Sequence, residues 1–287
     1  MNVLITGAGG QLAHELERTC PSGTSVNMYT IDDLDICNSD HVDSVVGDTQ
    51  PDVIINTAAY TAVDQAESDI ELAYAVNAQG PAHLAQAAKV NNCQLVHIST
   101  DFVFDGKSSV PYVPTDQTGP LSVYGKSKLA GETSVQDILG GSALIVRGGW
   151  LYSSHSSNFV LTMLRVMDAH ERINVVNDQL GTPTWSWRFA VGIWAMISHD
   201  ISGLRHWGNS GSATWFEFAT EIYRHAVKLG FVESCILSPV STAEYPTAAT
   251  RPAFSVLNHD GLAESIHECS EDWKVDLRTC MSEITPS

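Results

Sequence analysis

The sequence predicts an α/β fold: a doubly wound parallel sheet followed by a smaller carboxyl-terminal lobe. Three observations predict it. Short, wholly apolar runs recur through the first half, helically spaced stretches separate them, and a glycine-rich turn follows the first run directly. Strands apolar at every position are buried on both faces, as in a parallel sheet covered by helices.

The elements follow in order. Val3-Leu4-Ile5-Thr6 reads as the first strand and residues 11–20 as a helix opened by the glycine turn. Residues 26–31 read as a second strand, 41–48 as a short helix and 52–56 as a third strand. Residues 64–91 are helical, with a break expected at Gly80-Pro81, because proline lacks the amide that a helix interior uses. Residues 94–98 supply a fourth strand, 127–137 a helix and 143–146 a fifth strand. Past residue 150 the alternation weakens. Residues 186–198 and 216–229 read as helices joined by Trp-, Gly- and Pro-rich connections.

Composition narrows the function classes. With 287 residues, 44% of them hydrophobic and 17% charged, the chain has the profile of an ordinary globular protein. No run approaches the roughly 20 apolar residues that span a bilayer. The amino terminus lacks a cationic flank before the glycine turn, so a cytoplasmic protein is expected. A formal net charge of −18 argues against nucleic acid or an acidic membrane as a partner, since both are polyanions. The six cysteines and eleven histidines form no CxxC, HxxxH or HExxH pattern, so free thiols and no metal site are expected.

Gly7-Ala8-Gly9-Gly10-Gln11-Leu12-Ala13 has the chemistry of a phosphate cradle. Gly7 permits a tight turn, Gly10 lets backbone approach a pyrophosphate, and Ala13 lets helix and strand pack closely. The open amides and positive end of the helix then face the phosphates. A Rossmann-type dinucleotide-binding domain over residues 1–150 is therefore expected, with a substrate-binding lobe over 151–287, some of whose segments are free to return to the sheet. An acidic residue ending the second strand would select NAD. That strand ends near Thr30-Ile31-Asp32-Asp33; with Thr30 in place the selector is missing, yet no Arg stands there for a 2′-phosphate. NADPH or NADH is expected, with a lean to NADPH. Asp35 and Ile36 are candidates to border the adenine, and Ile36 reads equally well as core.

Tyr124 and Lys128 stand four residues apart at a helix start, on one helical face. A ketone reduction needs a proton donor beside the carbonyl oxygen, and a phenol can serve if an ammonium group eases its ionisation. Ser99 and Thr100 end the fourth strand, where a hydroxyl points into the ligand crevice or caps a turn.

Glycine turn, strand-end hydroxyl, tyrosine and lysine in this order resemble the extended short-chain dehydrogenase/reductases. Finer matches resemble the dTDP-4-dehydrorhamnose reductase family: Asn56 to Glu67, Ser99 to Gly106, Tyr124 to Glu132, Arg147 to Tyr152, Asn158-Phe159-Val160, Val176 to Thr184 and Arg251 to Ser255. The resemblance spans nearly the whole chain. It implies reduction of the C4 ketone of dTDP-4-dehydro-L-rhamnose (dTDP-6-deoxy-L-lyxo-4-hexulose) to dTDP-L-rhamnose, the last step of that nucleotide sugar's synthesis. It implies Thr100, Tyr124 and Lys128 as the catalytic group. Gly7, Gly10, Gln11, Leu12, Asp35, Ile36, Ala58, Ala59, Tyr60, Tyr124 and Lys128 are the implied cofactor side. The sugar pocket maps onto Thr61, Val63, Thr100, Asp101, Phe102, Tyr124 and Trp150, and the nucleotide end onto Asn158, Gln179 and Arg251. Asn77 matches a supporting asparagine of the superfamily, or caps helix backbone.

Two departures bear on that reading. Phe102 stands where the family often has tyrosine, removing one hydroxyl from the sugar pocket. Trp185-Ser186-Trp187 follows Pro183-Thr184 where some members carry a carboxylate for a bridging magnesium, so a monomer or weak homodimer is expected rather than a magnesium-bridged dimer. The competing readings are reduction of another dTDP- or UDP-linked 4-keto-6-deoxy sugar, an epimerase that returns its hydride, and a non-catalytic NADP-binding regulatory subunit. The intact Thr100, Tyr124 and Lys128 weigh against the last.

Overall fold

Each apolar run of the first half becomes a strand. In the computed structural model, which describes residues 1–259 and 261–285, β1 (Asn2–Thr6), α1 (Gln11–Arg18), β2 (Ser25–Tyr29), α2 (Ser39–Thr49) and β3 (Val53–Asn56) come first. α3 (Ile70–Tyr74), α4 (Gly80–Asn91), β4 (Gln94–Thr100), α5 (Val123–Leu139) and β5 (Leu144–Gly148) follow. The second half contributes β6 (Leu151–Tyr152), α6 (Phe159–Ala169), β7 (Arg172–Val176), β8 (Leu180–Gly181), β9 (Thr184–Trp185), α7 (Ser186–Ser198) and β10 (Gly203–His206). β11 (Ala213–Thr214), α8 (Trp215–Leu229), β12 (Ile236–Val240), α9 (Leu262–Ser265) and α10 (Trp273–Glu283) complete it.

Six strands form one parallel sheet in the order β2-β1-β3-β4-β5-β10. Successive residues alternate between its faces. Val3, Ile5, Val53, Ile55, Val96, Ile98, Leu144 and Val146 pack against Leu12 and Leu16 of α1 and Phe189 and Ile193 of α7. Leu4, Ile54, Leu95 and Ile145 pack on the other face against Val42, Val46, Leu84, Ala88 and Val135. Burying each such aliphatic side chain is worth about 1.5–3 kcal/mol, which is why both faces demand a helical cover.

A second core joins Tyr152, Val160, Leu164, Trp185, Phe218, Ile222, Trp273 and Leu277, mostly from β6, α6, α8 and α10. Trp185 and Trp187 stack at 5.0 Å and pack this lobe. β10 leaves the lobe to pair with β5, and α7 lies on the sheet beside α1.

One expectation is corrected. Gly80-Pro81 does not break the helical run. The backbone widens into a π-helical turn over Ala75–Gln79, the Gly80 amide donates to Ala75, and Pro81 falls in the opening turn of α4, where no interior amide is required of it. Among the described residues, no helix is long and apolar enough to cross a membrane, no group of three His, Cys, Asp or Glu side chains could hold a metal, and the cysteines are free.

Candidate active site

Strand register assembles the site. Thr6 lies beside Asn56, and Thr100 beside Gly148, so these strands end together at one edge of the sheet. The chain runs from β1 outward to β2 and returns to β3 on the other side, and ligands bind at such a reversal. Gly7 takes φ +77°, and a Cβ there would lie 2.7 Å from the Ala58 amide nitrogen. Only glycine lets the β1 turn lie against the segment after β3. Thr57 Oγ1 donates to the Thr6 carbonyl at 2.6 Å and Thr6 Oγ1 to Asn56 Oδ1 at 2.7 Å, which fixes both segments. Gly10 caps α1 in an extended conformation without a side-chain bond, leaving the first helical amides open to an anion.

A cavity of about 880 Å³ runs over this edge. Gly7, Gly10, Gln11, Leu12, Asp35, Ile36, Ala58, Ala59 and Tyr60 line it at the end nearest the turn. Thr100, Tyr124 and Lys128 stand on its wall, and Thr61, Val63, Asp101, Phe102, Trp150, Asn158 and Arg251 line the remainder. The open amides, the absence of side chains at Gly7 and Gly10 and the apolar Leu12 and Ile36 fit a dinucleotide.

Ser122 opens α5 by accepting from the Gly125 amide at 3.1 Å, which puts Tyr124 in the first turn and Lys128 one turn later. Lys128 is buried, and its Nζ donates to the Ile98 carbonyl at 2.6 Å. Burial pulls the ammonium down to about 8, with the Glu132 carboxylate opposing. Burial pushes the Tyr124 phenol up to about 12; the Thr100 hydroxyl draws it down and the Asp101 carboxylate raises it. The Phe102 ring meets the Tyr124 ring edge-on at 5.5 Å and orients it.

Thr100 Oγ1 donates to Asp101 Oδ1 at 3.1 Å and accepts from the Phe102 amide, so it caps a turn and faces the crevice together. Asp101 is buried, Oδ2 lacks a partner, and burial raises its acid to about 6. Ser99 turns away to donate to Glu132, which also accepts from Arg147 at 2.8 and 2.6 Å. Asn77 sits in the π-helical turn and braces both sides, accepting from the Tyr60 amide at 2.8 Å and donating to Ser127 Oγ at 3.0 Å.

Comparison with known proteins places the chain. The RmlD substrate binding domain model matches residues 1–285. The chain belongs to this family. A dTDP-4-dehydrorhamnose reductase of Aggregatibacter actinomycetemcomitans is 38% identical, over 96% of this chain and 97% of its own. A crystal structure of a dTDP-4-dehydrorhamnose reductase from Clostridium acetobutylicum superposes with TM-score 0.93 at 37% identity, covering 99% of each chain. A dTDP-4-dehydrorhamnose reductase from Bacillus anthracis, in complex with NADP, superposes with TM-score 0.92 at 37% identity, covering 98% of this chain and 99% of that one.

Around the crevice, three residues expected to contact substrate are already engaged by other groups. Asn158 caps α6, accepting from Leu161 at 3.2 Å and donating to the Ser153 carbonyl at 2.9 Å. Arg251 holds Asp64 at 2.7 and 3.0 Å, and that guanidinium keeps the Asp64 carboxyl below its ordinary range. Gln179 is the one expected residue that does not line the cavity. It donates to Thr242 at 3.0 Å and accepts from Trp215 Nε1 at 3.2 Å. Trp215 itself reaches the cavity wall and stacks on Trp150 at 3.5 Å, with the rings 4° from parallel. Trp150 adopts φ +50°, a left-handed conformation that this stack helps to hold. Sequence spacing gave no hint of Trp215, nor of Ser156 and Ser157, which also line the cavity.

Proposed function

We propose that this chain reduces the C4 ketone of dTDP-4-dehydro-L-rhamnose to dTDP-L-rhamnose with NADPH or NADH. The observation that carries the reading is the meeting of Thr100, Tyr124 and Lys128 on one cavity wall that begins at the glycine turn and ends at Trp150 and Arg251. Relatives bearing that enzyme name match over nearly their whole length, which supports the substrate.

The reduced nicotinamide, when bound, supplies the hydride. The chain handles the oxygen. As negative charge grows on the ketone oxygen, the Tyr124 hydroxyl delivers its proton there and Thr100 Oγ1, turning from Asp101, donates to the same atom. A phenol at about 12 gives up its proton reluctantly, so the Lys128 ammonium is needed beside it to stabilise the phenolate until solvent restores the proton. Lys128 also holds the ribose side of the cofactor. Thr61, Val63, Asp101, Phe102 and Trp150 shape the sugar pocket. Asn158 and Arg251 serve the nucleotide end, with Gln179 acting through Trp215. Arg251 suits a pyrophosphate, because no bond among the described residues uses its Nε and guanidinium donors match phosphate oxygens. The protein works in the cytoplasm as a monomer or weak homodimer.

Phe102 favours one second reading, a related 4-keto-6-deoxy sugar linked to dTDP or UDP, since a hydroxyl common in the family is missing here. The test follows absorbance at 340 nm with NADPH or NADH and dTDP-4-keto-6-deoxyglucose, with and without a 3,5-epimerase. Epimerase-dependent oxidation yielding dTDP-L-rhamnose supports the proposal. Oxidation without the epimerase, or only with the UDP-linked sugar, transfers it to the second reading.

A further inference from the structure

Behind the glycine turn lies a second, smaller chamber of about 370 Å³, lined by Ala8, Gly9, His14, Glu17, Met28, His155 and Ser156. It shares Ala8 and Ser156 with the main crevice, so a ligand lying along the turn borders both. Met28 is the penultimate residue of β2, and the Ala8 amide donates to the carbonyl of Tyr29, the last one, at 2.9 Å. The chamber therefore opens between the turn and the carboxyl end of β2. In dinucleotide folds that is where the 2′-position of the adenine ribose is read.

Its walls are polar in a particular way. The His14 and His155 rings lie 3.9 Å apart and tilted by 50°, and among the described residues no hydrogen bond uses a ring nitrogen of either. Ser156 brings His155 over the turn by donating from Oγ to the Gly9 carbonyl at 3.0 Å, from a left-handed backbone conformation at φ +59°. Ser154 ties the same segment to Glu283 at 3.2 Å, and Glu283 is held by Arg18 of α1. Two unspent imidazole donors are thus fixed beside the phosphate cradle, in a chamber lined by no Lys or Arg among the described residues. At the end of β2 the Asp33 carboxylate occupies the Thr30 amide and hydroxyl at 3.1 and 2.7 Å.

We propose that His14 and His155 form the site for a phosphomonoester, the 2′-phosphate of the cofactor, and so let the enzyme take NADPH without the usual arginine. The proposal rests on the cofactor reading above. Each imidazole offers an N–H to a phosphate oxygen. Glu17, on the same wall, opposes the anion and limits the preference.

The test measures Kd for NADPH and for NADH with the wild type, His14→Asn, His155→Asn and Glu17→Gln. Each histidine variant should weaken NADPH about tenfold and leave NADH within about twofold, while Glu17→Gln should tighten NADPH by about threefold. An equal loss for both cofactors would mean that the histidines only support the turn, and unchanged NADPH binding would remove them from recognition; either result overturns the proposal. Wild-type NADH binding in all variants, with NADPH discrimination intact, leaves the cofactor reading standing while this one falls. Inorganic phosphate separates the sources. Competition with NADPH but not with NADH supports a 2′-phosphate site, whereas phosphate that binds together with NADPH identifies a free-anion site and refutes the proposal.

Discussion

Replacing Glu132 by Gln removes the charge from the most deeply buried ion pair among the described residues. The Glu132 and Arg147 side chains are 2% and 3% exposed, and Arg147 reaches both carboxylate oxygens. Ser99 adds a third donor to the same group. With glutamine there, the guanidinium stays buried without its counter-charge, which costs about 3–5 kcal/mol. A chain of 287 residues unfolds with an entropy of roughly 0.6 kcal/mol per kelvin, so Tm should fall by about 5–8 °C. The variant also loses the carboxylate that holds the Lys128 ammonium up, so Lys128 should give up its proton at lower pH than in the wild type. Calorimetry or urea unfolding reads the first effect. Replacing the pair together, as Glu132→Leu with Arg147→Met, should recover most of the loss. A fall of less than about 1 kcal/mol in the single variant would refute the reasoning, because it would mean that water reaches the pair.

Other outcomes follow from the same contacts. Burial holds His97 well below the ordinary imidazole value of 6.5 and His206 down at about 3, so below pH 6.5 the unfolded chain binds protons that the folded one does not. Stability should therefore fall between pH 7 and 5 by roughly 2 kcal/mol per histidine, offset by about 1 from Asp101, whose raised acid near 6 acts in the opposite sense. A urea midpoint that is flat or rising toward pH 5 would contradict this. With Lys128 near 8, kcat/KM should decline as pH rises through about 8, and Lys128→Arg should move that limb upward. In Gly149→Ala the new Cβ would sit 2.7 Å from Asp101 Cγ, displacing a buried carboxylate at a cost of about 1–3 kcal/mol. Sugar turnover should drop about tenfold or more, with cofactor Kd unchanged; wild-type turnover would remove Asp101 from the sugar site.

The first five strands of the sheet were legible because they are short apolar runs suited to burial on both faces, whereas β10, Gly203-Leu204-Arg205-His206, is not such a run, and only its pairing with β5 places it in the sheet. Tyr124 and Lys128 were legible because helical periodicity places them on one face, and the structure keeps them there. Three features were hidden. The π-helical turn at Ala75–Gln79 depends on packing that lets the backbone widen, so Pro81 alone read as a break. Ser99 and Thr100 are adjacent hydroxyls on a strand, and only the pleat, which turns one toward Glu132 and the other toward the crevice, separates their roles. Trp215 opens α8 and His155 lies in the connection after β6, and tertiary folding rather than local periodicity brings them to Trp150 and His14, 65 and 141 positions away.

The central claim is that Tyr124 protonates the ketone oxygen. The direct measurement compares Tyr124→Phe with the wild type in single-turnover hydride transfer to the 4-keto sugar nucleotide, with the Kd of NADPH measured alongside. Loss of the phenolic proton should slow the step by about 10²–10⁴-fold and leave cofactor affinity within about twofold. A variant that still reduces the sugar within tenfold of the wild-type rate would contradict the account.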